Sequence, residues 1–167
     1  RNTVLPLTIA GGDRDAVAFW RKRVSQLGLS DRVRHASQLT TPGQIDQFYS
    51  DIDLLILASQ TEAFPLVITE AYSRGIPVLG SSIPSLRECI PDEEFLFRSG
   101  DPSDLADKVG WLLENRRRLQ ECSLNVHNSY LNTLCSGEVW RSYKTLYCSA
   151  LHSAPGPSLL SVCAQDR

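Results

Sequence analysis

The sequence predicts an α/β fold, a doubly wound parallel sheet of the Rossmann-like type. Two observations predict it: strand and helix patterns alternate over most of the 167 residues, and the strand patterns are almost continuously apolar, as in DLLILA at residues 53–58. Continuously apolar strands are typical of a parallel sheet covered on both faces, and alternating strands and helices build such a sheet through right-handed crossovers. Because ligands of this fold bind at the carboxyl ends of the strands, we expect a functional site in the loops there.

The order of the elements follows from apolar spacing and turn residues. Strands are predicted where short apolar runs occur, at residues 4–10, 53–58, 77–80 and 95–97, and a further short strand is predicted at residues 31–37. Helices are predicted where apolar residues recur every three or four positions, at residues 14–27, 42–49, 65–74 and 102–114. Gly28 ends the first helix, since a glycine commonly follows the last helical turn.

Only helices are predicted after Asn115, at residues 116–130 and 137–151. The second carries an apolar stripe, which is more often part of a core than of a cofactor site; its members are Val139, Trp140, Tyr143, Leu146 and Tyr147. Residues 152–167 are rich in Pro, Gly and Ser and are predicted to form a flexible tail. The chain has no methionine and its first strand begins almost at once, so we expect it to be part of a longer protein.

The composition limits the partners of this protein. A content of 42% apolar and 22% charged residues is typical of a globular domain, and the formal net charge of -2 provides no general attraction for nucleic acid. The basic triplet at residues 116–118 is interpreted as a solvated or helix-capping face. No apolar run approaches the roughly 20 residues of a membrane span, which leaves at most peripheral association. Five widely spaced cysteines without a CxxC pair indicate reduced thiols and a cytoplasmic location.

The segment TEAFPLVITEA, residues 61–71, places Glu62 and Glu70 on either side of a predicted helix start at the carboxyl edge of the sheet. Pro65 suits the first helical position because its missing N–H is not needed there. The unpaired amides at the start of this helix, over residues 65 to 68, favour a phosphate, and a carboxylate on each side can accept paired hydrogen bonds from hydroxyls. The pattern therefore predicts a ligand with a central diphosphate and a sugar at each end. Its alternative is simple compensation of the helix dipole by two glutamates.

The run ASQTEAFPLVITEAYSRGIPVLGSSIPSLRECI, residues 58–90, closely resembles the donor-binding segment of the retaining, glycogen-synthase-like glycosyltransferases, the glycosyl transferases group 1. The family pattern is a strand, then E-G-F-(G/P)-x-x-x-x-E-A, then G-x-P-V and a short loop with I-P-x-L-R-E. The matching residues are Glu62, Phe64, Pro65, Glu70, Ala71, Gly75, Pro77, Val78, Ile83, Pro84, Leu86, Arg87 and Glu88. LTIAGG, LGLSDRVRHAS, the GDPSDLA segment and SGEVWRSYKTLY extend the resemblance over nearly the whole chain.

The resemblance implies the C-terminal, donor-binding half of a two-domain B-type fold, present here in part. Residues 1–151 would then form a nucleotide-sugar-binding domain that lacks its first strand-helix unit, and with it the basic pair that clamps the diphosphate. The N-terminal acceptor-binding domain would be missing too, so we expect this chain alone to be inactive. The surface exposed by its absence, where Trp140, Tyr143 and Tyr147 would have no partner, predicts self-association that depends on concentration.

The resemblance also implies roles for particular residues. Glu62 is expected to be catalytic and to contact hydroxyls of the donor sugar, while Glu70 is expected to hold the ribose. The donor-binding backbone between them is expected at Ala63, Phe64, Pro65, Leu66 and Val67. The base is expected near the end of the second strand, at Arg34, His35, Ala36 and Ser37. The implied chemistry is hexosyl transfer from a nucleoside-diphosphate sugar with retention at the anomeric carbon, without a cofactor and without a metal held by the fold.

Two departures from the family pattern keep an alternative open. Ala63 replaces the usual glycine, and Ser82 stands where an aspartate is frequent. With the absent basic pair, these differences are compatible with a non-catalytic nucleotide-sugar-binding or interaction module of the same fold. A nucleotide-sugar epimerase shares the architecture, but its histidine-rich signatures are not evident.

Two other sequence features give weaker indications of a functional site. Gly11-Gly12-Asp13 follows a strand without completing a phosphate-loop pattern, and it is interpreted as a turn and a helix start. Cys89 is interpreted as a core residue rather than a nucleophile.

Overall fold

The computed structural model describes residues 5–36, 38–133 and 137–153 of the chain. These residues belong to two compact units, Arg1–Asp51 and Ile52–Arg167, and each unit is described by itself. Ser37, the N-terminal end of the first predicted strand and the predicted tail beyond Ser153 lie outside the described residues.

The described residues of the first unit form two parallel strands and two helices. Its elements are β1 (Leu7–Ala10), α1 (Arg14–Gln26), β2 (Val33–Ala36) and α2 (Pro42–Ser50). Strands β1 and β2 pair in parallel, with Ile9 opposite His35. The Asp13 side chain accepts from the amide of Ala16 at 2.9 Å and begins α1, and Gly28 follows the helix with a φ of 66°, as predicted. These local caps explain why the boundaries of α1 were predictable from sequence.

The second unit contains a three-stranded parallel sheet and five helices among its described residues. Its elements are β3 (Leu55–Leu57), α3 (Leu66–Ser73), β4 (Val78–Ser81), α4 (Pro84–Cys89), β5 (Leu96–Phe97), α5 (Pro102–Glu114), α6 (Arg116–Thr133) and α7 (Glu138–Ser153). The strand order is β3-β4-β5. In the register, Leu57 lies opposite Gly80, and Ser81 lies opposite Phe97. The carboxyl ends of all three strands therefore lie at one edge, and the predicted α/β class with parallel strands is confirmed.

The core of the second unit forms around β4, whose four residues are all buried. Helix α3 contacts α6 and β4, while α5 contacts β5 and α6. The largest fully buried side chains of this core are Phe95, Leu79, Leu86, Ile90, Leu112 and Val78. A strand buried in this way needs no polar alternation, which is why its sequence is continuously apolar.

Two predictions about elements are corrected. The I-P-x-L-R-E segment, predicted as a loop, forms the short helix α4. Pro84 lies in its first turn, and Leu86 is buried in the core. The apolar stripe of α7 is not core at its described side chains: Trp140 is 71% exposed and Tyr147 65%, which agrees with the alternative expectation of an exposed surface. Among the described residues, no helix is both long and apolar enough to cross a membrane.

Candidate functional site

Both glutamates of the predicted site lie at the carboxyl edge of the three-stranded sheet or in the helix that follows it. Glu62 lies in the loop between β3 and α3, and Glu70 lies in the second turn of α3. Both side chains are half-buried. The sequence explains these positions, because the apolar run of β3 ends at Leu57 and a loop then leads to Pro65, the N-cap of the next helix.

The Glu62 carboxylate is held by a hydrogen bond. Ser59 Oγ donates to Glu62 Oε1 at 2.7 Å. The carbonyl of Ser59 in turn accepts a hydrogen bond from the buried hydroxyl of Ser81 at the end of β4. Sequence reasoning missed both serines. The position of Ser59, three residues before Glu62 in a loop, was the available signal, because serine side chains often bond to groups two or three residues away in turns.

Helix α3 begins one residue later than predicted. Pro65 is its N-cap rather than its first residue, and no side chain caps this end of the helix among the described residues. Since proline has no N–H, the donors at this end begin with Leu66 rather than at position 65. Phe64 and Leu66 are 65% and 63% exposed, so the entry to the helix is open to solvent.

The two departures from the family pattern impose no strain on the described backbone. Ala63 is exposed, and no described non-glycine residue has a positive φ, so its conformation is one that any residue adopts. Ser82 is half-buried, and its amide donates to the carbonyl of Phe97 at 2.7 Å. Neither substitution distorts the loop in which it lies.

The candidate base-binding residues lie in the first unit. Arg34, His35 and Ala36 form most of β2, and Ser37 lies outside the described residues. A cleft of about 230 Å³ lies beside them. It is lined by Ile9, Trp20, Arg21, Val24, Ser30, Val33, Arg34 and His35. Both ring nitrogens of His35 are buried and have no hydrogen-bond partner among the described residues. Buried polar atoms are nearly always paired, so this imidazole has unused hydrogen-bonding capacity.

The structure explains the two weaker sequence features, Gly11-Gly12-Asp13 and Cys89. Gly11 and Gly12 have φ of 89° and 87° and form the turn before α1, as predicted. Burial, with the charge of Glu88 nearby, raises the pKa of the Cys89 thiol, so this residue lacks the thiolate character of a nucleophile. No group of three or more His, Cys, Asp or Glu residues that could hold a metal occurs in the part of the chain that the structure describes.

The basic triplet differs from its interpretation. Rather than facing solvent or capping a helix end, Arg118 lies in the first turn of α6 and forms ion pairs with Asp92 and Glu94. Arg117 does remain exposed and pairs only with Glu121 one turn on, at 2.9 Å, among its described contacts. Arg118 of the triplet therefore stabilises the packing of α6, whereas Arg117 is a solvated residue.

Known proteins resemble this chain in sequence and in fold. The family model for glycosyl transferases group 1 matches residues 1–128. A curated relative, D-inositol 3-phosphate glycosyltransferase of Nocardia farcinica, is 34% identical over 104 residues, which are 61% of this chain and 23% of the relative.

Solved structures share the fold of this chain, and two of them illustrate the similarity. The structure of HepE from Anabaena in complex with UDP-glucose superposes with a TM-score of 0.70 at 20% identity, covering 84% of this chain and 41% of HepE. A glycosyltransferase of Rickettsia africae gives a TM-score of 0.76 at 18% identity, covering 90% of this chain and 41% of that one. The chain spans less than half the length of each of these proteins.

Proposed function

Because this chain belongs to the glycosyl transferases group 1 family, whose model matches residues 1–128, we propose that it binds the nucleoside-diphosphate sugar from which a larger glycosyltransferase transfers a hexosyl group. The proposal includes retention of configuration at the anomeric carbon. The donor is a substrate here, and the proposal requires neither a cofactor nor a metal ion held by the fold.

One observation carries the proposal: an open helix start lies between two carboxylates at the carboxyl edge of a parallel sheet. Glu62 precedes α3 and Glu70 lies in its second turn. The α3 start has no side-chain cap among the described residues, so the positive end of the helix dipole is not compensated there and favours an anion. A diphosphate at this point would place a hydroxyl-bearing sugar within reach of a carboxylate on each side.

Each group then has a distinct task. The backbone from Phe64 to Val67, apart from the donorless Pro65, binds the sugar and diphosphate, and Glu70 accepts hydrogen bonds from the ribose hydroxyls. Glu62 contacts the hydroxyls of the transferred sugar. The base lies near Arg34 to Ser37, and the unused imidazole nitrogens of His35 support a polar group there. HepE, which shares this fold, was determined with UDP-glucose, so uridine is the first base to test.

The catalytic contribution of this chain is electrostatic. As the bond between the anomeric carbon and the diphosphate breaks, negative charge develops on the leaving phosphate. Amides fixed at a helix start stabilise that charge without reorganisation, and Glu62 orients the sugar while the bond breaks. Acceptor binding is assigned to a further domain of the larger protein, in the cytoplasm, and the wide spacing of the cysteines, without a CxxC pair, supports that location.

Titration calorimetry with UDP, GDP and ADP tests the donor site. We expect one nucleotide to bind and Glu70→Ala to weaken it roughly tenfold or more, because hydrogen bonds from hydroxyls to a carboxylate are lost. Glu114→Ala, at an exposed glutamate that ends α5, is the matched control and should bind as the wild type does. Equal affinity in Glu70→Ala and wild type would contradict the ribose assignment.

The non-catalytic alternative makes a different prediction for the larger protein. A binding module would bind the nucleotide without transferring the sugar, whereas the proposed enzyme transfers it. For the present chain alone we expect no measurable turnover, since half of a cleft neither excludes water nor orients an acceptor. Sugar transfer by this chain in a radiolabelled-donor assay would contradict that expectation.

A further inference from the structure

The carboxylate of Glu62 is connected to the sheet through two hydrogen bonds in series. Ser59 Oγ donates to Glu62 Oε1 at 2.7 Å, and Ser81 Oγ donates to the carbonyl of Ser59. Ser59 follows β3, whereas Ser81 is the last residue of β4, 22 positions further along the chain. The connection therefore spans two neighbouring strands at their carboxyl ends.

The Ser81 end of this connection is firmly placed. Ser81 is 1% exposed and lies opposite Phe97 in the β4–β5 ladder. The next amide, that of Ser82, donates to the carbonyl of Phe97 at 2.7 Å. Because a buried hydroxyl has no water to replace a lost partner, the bond from Ser81 fastens the loop after β3 to the middle strand.

The Glu62 side chain is only half-buried, so without such a bond more than one rotamer would be accessible to it. A glutamate side chain has several rotatable bonds and loses rotamer freedom when a ligand fixes it. A hydroxyl-to-carboxylate hydrogen bond is strong enough to select one rotamer before the ligand arrives, which removes that ordering cost from binding. It also leaves most acceptor positions of the carboxylate for other donors, since an ionised carboxylate offers about four.

We propose that Ser59 is a positioning residue that holds the Glu62 carboxylate toward the hydroxyls of the donor sugar, with Ser81 anchoring Ser59. This inference rests on the proposed function, in which Glu62 contacts that sugar. It differs from a merely local role in the turn. A local role would weaken folding and would affect binding of the nucleotide and of the nucleotide-sugar alike, whereas positioning of Glu62 affects only the sugar.

The test compares matched pairs of ligands by titration calorimetry: UDP-glucose with UDP, GDP-mannose with GDP, and ADP-glucose with ADP. The wild-type chain identifies the pair that binds. For that pair, we expect Ser59→Ala to weaken nucleotide-sugar binding roughly tenfold while nucleotide binding is unchanged. Ser59→Thr retains the hydroxyl and should restore the affinity for the nucleotide-sugar. Thermal unfolding of each variant verifies that it is folded.

The outcomes separate this inference from the function on which it rests. Equal losses for nucleotide and nucleotide-sugar, or no loss for either, would overturn the role of Ser59 and leave the donor site intact. A wild-type chain that binds none of the six ligands would overturn the proposed function together with the inference. A crystal structure of Ser59→Ala adds a test without ligand: we expect several rotamers of Glu62, and a single unchanged rotamer would overturn the positioning role.

Discussion

Gly80 lies where the packing of the second unit leaves no room for a side chain. A methyl group on its Cα would lie 2.5 Å from Cδ1 of Ile90 and 3.4 Å from Cδ1 of Leu86. Both of these side chains are buried in the core, so neither can move aside without disturbing its neighbours. The glycine thus allows α4 to pack directly on β4, next to the serine that anchors the site loop.

Gly80→Ala should lower the free energy of unfolding by about 1–3 kcal/mol, because overpacking forces side chains off their rotamers. Gly110→Ala is the opposite control: nothing lies within 4 Å of a methyl group there, and the residue is inside α5. That substitution should raise the free energy of unfolding by about 0.5–1 kcal/mol, as alanine favours helix over glycine. Urea unfolding measures both, and a Gly80→Ala variant as stable as the wild type would refute the packing argument.

The start of α5 is an element whose stability should depend on pH. Asp101 caps the helix, its carboxylate accepting hydrogen bonds from the amides of Ser103 and Asp104 at 3.0 Å each. The bond from the Asp104 amide, with the Arg98 guanidinium nearby, holds the pKa of the Asp101 carboxyl below its ordinary value. A lowered pKa in the folded state means that the carboxylate stabilises the fold above the unfolded pKa, and that this contribution is lost as the pH falls through the folded pKa.

Asp101→Ala should therefore lower the unfolding midpoint at pH 7, whereas its effect should shrink below about pH 4, where the wild type also loses the charge. Asp101→Asn keeps a cap acceptor without the titration and should be less sensitive to acid than the wild type. Thermal unfolding followed from pH 7 to acid measures these profiles. Parallel profiles for wild type and Asp101→Asn would contradict the assignment.

Arg118 connects helix α6 to the segment before β5 through ion pairs. Arg118 pairs with Asp92 and, through Nε, with Glu94 at 2.6 Å, and its guanidinium also lies over the Phe95 ring, 6.0 Å from the centroid. The two hydrogen bonds require the fork of a guanidinium, which an ammonium group does not supply.

Arg118→Lys should lower the free energy of unfolding by about 1 kcal/mol, a value kept small because the side chains are partly solvated. Arg117→Lys provides a neighbouring control, since Arg117 is 91% exposed and its pair with Glu121 should contribute little. Urea unfolding distinguishes the two, and equal stabilities would indicate that the Arg118 network is only a surface feature.

At the scale of the whole molecule, α7 presents a large apolar surface. Trp140, Tyr143, Leu146 and Tyr147 are each more than half exposed. Exposed apolar surface of this kind commonly marks an interface. The relatives and neighbours described above are more than twice as long as the matched region, so we propose that this face is covered in the larger protein.

In this chain the α7 surface should cause self-association that increases with concentration. Trp140→Glu with Tyr147→Glu should shift sedimentation-velocity profiles toward the monomer. Leu124→Glu, at a residue of α6 that is 67% exposed, is the control and should not change them. A wild-type chain that stays monomeric at high concentration would contradict this prediction.

The α/β class, the order of the strands and longer helices, and the positions of the two glutamates follow from the sequence alone, because they depend on the spacing of neighbouring residues. Apolar runs predict strands, and the residues that begin and end α1, Asp13 and Gly28, act within one turn. The family pattern located Glu62 and Glu70 for the same reason: they lie within one strand-to-helix connection.

Only the tertiary structure decided which residues meet across the sheet. The Ser81 hydroxyl reaches the Ser59 carbonyl because β3 and β4 pair in a register that aligns their carboxyl ends. Arg118 meets Asp92 across 26 positions of sequence, and the exposure of α7 depends on what packs against it rather than on its apolar spacing. The spacing of apolar residues predicts that one face of a helix is apolar. It does not predict whether another element packs on that face, because burial depends on contacts between residues far apart in the chain.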